Sequence, residues 1–298
     1  MKLKWTSNDI PGLGGKIAVV TGANRGIGYE MVRSLSRKGA RAILACRNKN
    51  IGEVAVRQIR QENPAAEVEL IQLDLASLAS VHRFVDEFIH QHNRLDVLIN
   101  NAGVMRTPWG KTEDGFEIQF GTNHLGHFAL TGLLCDLITC TPHARIVTIS
   151  SWGHYFGRID FENLNAEKKY NPSDAYAQSK LANLLFTYEL QRRLESRKMD
   201  TIAVAAHPGW TATNLAIHWP MVQALTPLIG QKPEMGALPA LYAATANEVH
   251  GGEYYGPDGW GGARGYPTRI HSSAYSYDTG IAAKLWVESE KLTGVQYL

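Results

Sequence analysis

Lys16-Ile17-Ala18-Val19-Val20-Thr21-Gly22-Ala23-Asn24-Arg25-Gly26-Ile27-Gly28 is the stretch from which the fold can be read. Its first six residues form a short, apolar, β-branched run, the pattern of a strand buried on both faces. Glycines follow at Gly22, Gly26 and Gly28, and residues 29–38 then carry a helical pattern that stops at Gly39. A strand passing through a glycine turn into a helix start points unpaired amides and the helix dipole at one place, which suits a pyrophosphate. The spacing is G-x-x-x-G-x-G rather than G-x-G-x-x-G, and a plain tight turn accounts for it equally well.

Outward from this stretch the same alternation repeats. Strands are expected at 40–46, 68–73, 95–99, 144–149, 201–205 and 253–256. Helices are expected at 51–61, 78–90, 121–138, from Asp174 onward, from Lys232-Pro233-Glu234 to about 246, and at 277–292; residues 259–265 read as a glycine-rich loop. Apolar strands alternating with helices imply a parallel sheet covered on both faces. The fold class is therefore α/β, a Rossmann-type doubly wound parallel sheet of about seven strands. No linker or repeat interrupts it, so 1–298 is one domain, with an apolar segment at about 210–232 placed either to close over a substrate as a lid or to complete the core.

Composition narrows the function. The chain has 298 residues, 44% hydrophobic and 19% charged, with a formal net charge of +2 and both signs interleaved. That balance carries no nucleic-acid or membrane-surface footprint. Residues 1–15 are polar and lack the apolar core of a signal peptide, and no run approaches the ~20 apolar residues of a membrane span. Cys46, Cys135 and Cys140 are an odd set without C-x-x-C spacing, read as free thiols in a reducing compartment, the cytoplasm; Cys135 and Cys140 are expected in the core or a groove.

Ligands of an open parallel sheet sit beyond the carboxyl ends of its strands. Gly22, Arg47, Asp74, Asn101, Ser151 and Pro208 all fall just past such ends. After the second strand comes Arg47-Asn48-Lys49, with no acid before Glu53. A carboxylate there would grip a ribose 2′-hydroxyl; a guanidinium instead suits a 2′-phosphate, with Arg25 able to close over it, unless both arginines are merely solvated. Asp74 is placed either to accept from an adenine amino group or to cap the helix near Leu78. Asn101-Ala102-Gly103 allows close approach of a flat ligand, or is simply a turn. His124 and His127 lack the further ligands of a zinc site and are expected to pack or hydrogen-bond, so no metal is expected.

Tyr176 and Lys180 are one helical turn apart and share a face. A free phenol (pKa about 10) and a free ammonium (about 10.4) are poor proton carriers near neutrality, but an adjacent ammonium favours the phenolate. A half-buried ring beside a solvated lysine is the plainer reading of the pair alone; its placement at the same sheet edge as the other motifs favours acid/base chemistry.

With Thr21-Gly-x-x-x-Gly-x-Gly28, Asn100-Asn-Ala-Gly103, a serine after the fifth strand, Tyr176-x-x-x-Lys180 and Pro208-Gly209, the chain resembles the short-chain dehydrogenases/reductases over about residues 16–213. Ala45-Cys-Arg47, Asp74-Leu-Ala-Ser77, Gly121-Thr-Asn-His-Leu-Gly-His-Phe128 and Ser179-Lys-Leu-Ala-Asn183 are most similar to the branch holding retinol dehydrogenases, the WW-domain-containing oxidoreductase and light-dependent protochlorophyllide reductase. The membrane-anchoring N-terminal helix of many retinol dehydrogenases and the long insertion of protochlorophyllide reductase are both missing from the pattern.

The resemblance implies an NADP(H)-dependent carbonyl reductase or alcohol dehydrogenase. It implies Tyr176 as the acid or base, Lys180 as the group lowering its pKa, Ser151 as the holder of the carbonyl oxygen, and Asn123 as the anchor of a water leading from Lys180. Expected cofactor contacts are Gly22, Asn24, Arg25, Gly26, Ile27 and Gly28 at the phosphates, and Arg47, Asn48, Asp74 and Leu75 towards the adenosine. Asn101, Ala102, Gly103, Tyr176 and Lys180 follow, then Pro208, Gly209, Thr211 and Thr213 by the nicotinamide. Ser151, Trp152, Tyr155, Trp210 and Trp219 are expected around a lipophilic carbonyl or alcohol such as a retinal-, steroid- or lipid-like molecule. A homodimer or tetramer is possible by the same resemblance. The competing functions are a non-catalytic NADP(H)-binding redox sensor and a light-driven pigment reductase.

Overall fold

Alternate residues of the first strand serve opposite halves of the core, as a period of two requires. Ala18 and Val20 face one buried cluster, and Ile17 and Val19 the other. The computed structural model of the chain describes residues 4–211 and 230–298. Its first half alternates β1 (Ile17–Thr21), α1 (Gly26–Arg37), β2 (Arg41–Cys46), α2 (Lys49–Glu62), β3 (Val68–Gln72), α3 (Leu78–Gln91) and β4 (Val97–Asn100). Then come α4 (Gly126–Leu133), α5 (Cys135–Thr139), β5 (Arg145–Ile149), α6 (Pro172–Ser196), β6 (Ile202–Ala206) and α7 (Pro233–Thr245). The chain closes with β7 (Tyr254–Gly259), β8 (Arg264–Ile270) and α8 (Thr279–Thr293).

These strands make one eight-stranded sheet in the order β3-β2-β1-β4-β5-β6-β7-β8. β1 to β7 are parallel. β8 returns antiparallel along β7, so the residues expected as a glycine-rich loop instead form the tip of a hairpin, and the expected seven strands become eight. One face of the sheet is covered by α1, α2 and α7 through Met31, Leu35, Ile59 and Leu241. The other is covered by α3, α4, α6 and α8 through Phe84, Phe128, Phe186 and Trp286. Each such side chain removed from water contributes ~1.5–3 kcal/mol before the chain's ordering entropy is subtracted.

Strand order reverses between β1 and β4, and the carboxyl ends at that switch carry Gly22 and Asn101. α6 begins two residues before the expected Asp174, with Asn171 capping Ser173 and Asp174 and Pro172 in the first turn. It is buried almost all round from Ala175 to Gln191, because the sheet, the 118–125 segment and α8 pack against it. The helix expected over 121–138 is broken. Gly121–Leu125 is a π-turn, and α4 stops at Leu133 before α5. Cys140, expected in the core or a groove, lies exposed at the end of α5, whereas Cys46 and Cys135 are buried; all three are free thiols.

Of the expected apolar segment, Thr213, Trp219 and residues 212–229 as a whole lie outside the described residues. Its flanks meet, the Gln231 N–H donating to the Trp210 carbonyl at 2.9 Å. No helix among the described residues is long and apolar enough to cross a membrane.

Candidate active site

Thr21, the last residue of β1, stitches the switch point together. Its hydroxyl oxygen accepts from the N–H groups of Asn101 and Ala102, both at 2.9 Å. The His127 Nδ1 faces the Asn123 carbonyl, an acceptor only, so Nδ1 carries the proton and Nε2 accepts from the Thr21 hydroxyl at 2.8 Å. The Asn101 amide closes the loop by donating to the Thr21 carbonyl at 2.7 Å. Gly22 has φ +64°, and a Cβ there would stand 2.9 Å from Ala102, so the first glycine is required by both backbone and space. Gly26, Ile27 and Gly28 open α1, whose N-cap Arg25 makes no side-chain capping bond; Asn24 precedes it. The first-turn amides are thus left for an anion.

Beyond β2, Arg47 is exposed and its guanidinium approaches Asp74 at 4.0 Å. Asn48 caps α2 by accepting from the Ile51 N–H. Asp74 does not cap α3; Ser77 does, accepting from the Ser80 N–H, while Asp74 Oδ1 turns back to the Ala76 N–H. Leu75 is buried, with its carbonyl pressed against Gly126. Past β6, Pro208 accepts from Thr211 and Gln231 side chains, Gly209 takes φ +67°, and Trp210 donates its N–H to the Ala263 carbonyl.

The chemistry-bearing groups meet where β4, β5 and α6 converge. Lys180 is buried and donates to the Ile149 carbonyl at 3.1 Å, 5.9 Å from the Tyr176 ring centre. Asn123, held by the π-turn, grips the Val104 backbone and donates to the Ser179 hydroxyl, which donates to the Tyr176 carbonyl. Gly103 lies between them: a Cβ there would stand 3.1 Å from Asn123 Oδ1 and 3.4 Å from Lys180 Nζ.

The two serines after β5 separate cleanly. Ser150 is buried, bonding the Lys180 carbonyl. Ser151 faces Tyr176 and accepts from the Gly153 N–H at 3.2 Å. Trp152 and Tyr155 follow on an exposed 3-10 turn.

Burial dominates the electrostatics. It pushes the Tyr176 phenol up to about 12, opposed by the Ser151 hydroxyl. It brings Lys180 down to about 8. Loss of water and the Ser151 hydroxyl, not the ammonium expected to lower it, set where the phenol titrates. At neutral pH the pair is a neutral phenol beside an ammonium, a proton donor rather than a base.

His154 and the Val104 brace were not visible in the sequence. His154 lies three residues past Ser151, but its partners are set by the fold. His124 pairs with Ser289, and no group of three or more His, Cys, Asp or Glu residues converges among the described residues.

The chain is similar to known proteins over nearly its whole length. Residues 16–221 match the family described as short chain dehydrogenase. Human retinol dehydrogenase 13 is 42% identical over 294 residues, covering 95% of this chain and 86% of that protein. Human retinol dehydrogenase 14 is 44% identical over 308 residues, covering 96% and 88%. An uncharacterized protein of known structure from Mycobacterium paratuberculosis is 43% identical, covers 99% of both chains and superposes with a TM-score of 0.85.

Proposed function

The chain belongs to the short-chain dehydrogenase family, in its retinol-dehydrogenase-like branch, and on that premise we propose that it is an NADP(H)-dependent carbonyl reductase or alcohol dehydrogenase for a lipophilic substrate. The observation that carries the reading is the meeting of Tyr176, Lys180 and Ser151 at the strand ends that also carry Gly22 and Asn101. The family works with nicotinamide dinucleotides, and the donor set here fits one: the uncapped start of α1 for the pyrophosphate, with Arg25 at its N-cap and Arg47 just past the end of the neighbouring strand β2. Arg47 is 74% exposed and its ion pair to Asp74 is loose, so its fork is available to a 2′-phosphate, which supports NADP(H) over NAD(H). When bound, the reduced nicotinamide supplies the hydride.

The chain's own residues do the rest. Tyr176, neutral at physiological pH, gives its proton to the substrate oxygen as the carbon is reduced; in the oxidative direction it takes that proton back. Ser151, its oxygen already holding the Gly153 N–H, keeps its own hydrogen for the carbonyl oxygen and favours charge developing there. Lys180 holds an ammonium 5.9 Å from the Tyr176 ring centre, on the side where a ribose in the crevice would lie in this reading. Asn123, in this reading, places the backbone past Gly103 and leads a water towards Lys180.

Lipophilic substrates are favoured by Trp152 and Tyr155, 59% and 42% exposed immediately beyond Ser151. The names of the relatives, which are retinol dehydrogenases, favour the same class. NADPH consumption over a panel of lipophilic aldehydes and ketones tests the reading, with Tyr176→Phe expected to lower turnover by about 100-fold or more while NADPH still binds. Unchanged turnover in that variant would falsify it.

A further inference from the structure

Behind Ser151 sits a buried imidazole, that of His154, whose two nitrogens are both engaged with backbone. Nε2 faces the Ser273 N–H at 3.0 Å, and Nδ1 faces the Ser151 carbonyl at 2.7 Å. A peptide N–H only donates and a peptide carbonyl only accepts. The tautomer is therefore determined: Nδ1 bears the hydrogen and Nε2 the lone pair. A ring fixed in this way is a bridge between the serine turn and the segment following β8, 119 residues away.

We propose that His154 is the positioning residue for Ser151, clamping its carbonyl so that the hydroxyl stays directed at Tyr176 and the substrate oxygen. This rests on the reading of Ser151 and Tyr176 given above. Ser151 is then held at two points. Its carbonyl accepts from both the Nδ1–H and the backbone N–H of His154, the latter at 3.0 Å, and its hydroxyl accepts from the Gly153 N–H at 3.2 Å.

The ring itself has no freedom to swing away. Tyr155 lies against it with ring centres 4.1 Å apart, and Tyr254 meets it edge-on at 5.8 Å. Tyr155 makes a parallel tie, its hydroxyl donating to the His271 carbonyl at 2.8 Å. The 271–273 segment thus braces the turn on which Ser151 stands, and a rotation of Ser151 requires breaking bonds at both ends of the imidazole. His154 touches no reacting atom. Its effect passes through the serine alone, and this gives the test.

Turnover and KM are measured with NADPH and one accepted carbonyl for the wild type, His154→Leu, His154→Asn and Ser273→Pro, and for His154→Leu combined with Ser151→Ala. The leucine removes both bonds, and kcat is expected to fall about 10- to 100-fold with KM changed less than about threefold. The asparagine restores a donor at the Nδ1 position and should recover most of that loss. Ser273→Pro removes the amide that holds Nε2 and puts the proline ring where that N–H stood, against the imidazole, so kcat should fall at least as far as in His154→Leu although the serine turn's own sequence is unchanged.

In the Ser151→Ala background, His154→Leu should cause no further loss. Equal kcat in wild type and His154→Leu, equal losses in the leucine and asparagine variants, or additive losses with Ser151→Ala would each overturn the assignment while leaving the proposed activity standing. A wild-type chain that consumes no NADPH with any carbonyl of the panel would overturn both.

Discussion

The side-chain amide of Asn123 holds both ends of one peptide residue: Oδ1 accepts from the Val104 N–H at 2.8 Å and Nδ2 donates to the Val104 carbonyl at 2.9 Å. Nδ2 also reaches Ser179, so the amide joins the strand end after β4 to the helix that carries Tyr176 and Lys180. Asn123→Ala strips both bonds from the half-buried Val104 backbone and one of the two from the Ser179 hydroxyl, and is expected to cost ~1–3 kcal/mol of stability. Urea unfolding of the full chain reads this out. A midpoint equal to that of the wild type means the brace carries no load.

Arg47 sets cofactor choice if the proposed 2′-phosphate contact is right. Exchange for a carboxylate removes one charge-assisted fork and adds repulsion, so Arg47→Asp should lower kcat/KM for NADPH by about 10- to 100-fold and raise that for NADH. Arg25→Ala should weaken NADPH by a smaller factor, because its guanidinium is offered from the exposed N-cap of α1. Parallel loss with both cofactors would show that the arginines serve the fold and not the phosphate.

Lys180 opposes stability in the service of the site. Its folded pKa, lowered by burial to about 8, lies below the unfolded value near 10.5, so between those pH values the unfolded chain holds a proton that the fold has shed. Stability therefore rises as pH climbs from 8 to 10.5, and at pH 7 the full penalty is present. Lys180→Met should raise stability at pH 7 by on the order of 2 kcal/mol, net of the lost bond to the Ile149 carbonyl, while turnover collapses. Denaturant midpoints at pH 7 and 10.5 check the sign: the gain should shrink at the higher pH.

Acid should unfold the protein early. Burial brings His124 and His207 down to about 3 and His127 to about 4. Between pH 6.5 and 4 the unfolded chain binds protons at these residues and the fold does not. Stability is thus intact above 6.5 and lost as pH falls, with a slope approaching three protons or ~4 kcal/mol per pH unit from these groups. A series of urea titrations from pH 7 to 4.5 measures the slope; a flat profile means the imidazoles are open to water.

The apolar runs of β1, β2, β4 and β5 and the glycine turn were readable because a parallel sheet buried on both faces leaves a continuous apolar stretch in the chain. β8 was not. Arg264-Gly-Tyr-Pro-Thr-Arg-Ile270 lies on the sheet's edge, partly exposed along most of its length, so no apolar alternation marks it. The π-turn at Gly121–Leu125 was equally hidden, since one extra residue in a turn hardly alters an apolar helical pattern. Tyr176 and Lys180 were legible as a pair through their four-residue spacing, and Ser151 only through the family resemblance. Their supports were not: Asn123 to Val104 and His154 to Ser273 are bonds between side chains and backbone distant in sequence, and no pattern of residue types encodes them.

Gly153 offers the finest test of how closely the Tyr176 ring is seated. A Cβ at this position would stand 3.2 Å from Cε1 and 3.3 Å from Cδ1 of Tyr176, and 3.7 Å from the Ser151 oxygen. That is a few tenths of an ångström too close, so something must yield. The ring is buried and flanked by α6, whereas the 152–156 turn is short and largely exposed, so the turn is the part that moves. Its displacement carries the Gly153 N–H, and with it the Ser151 hydroxyl, off the line to the substrate oxygen. Gly153→Ala is thus expected to lower kcat by about 10-fold with NADPH affinity unchanged, since geometry at the reacting centre is lost and the dinucleotide crevice is untouched. Gly12→Ala, where an added Cβ meets nothing within 4 Å, is the control and should be silent. If Gly153→Ala matches that control in steady-state assays, the ring and turn have more room than the geometry allows.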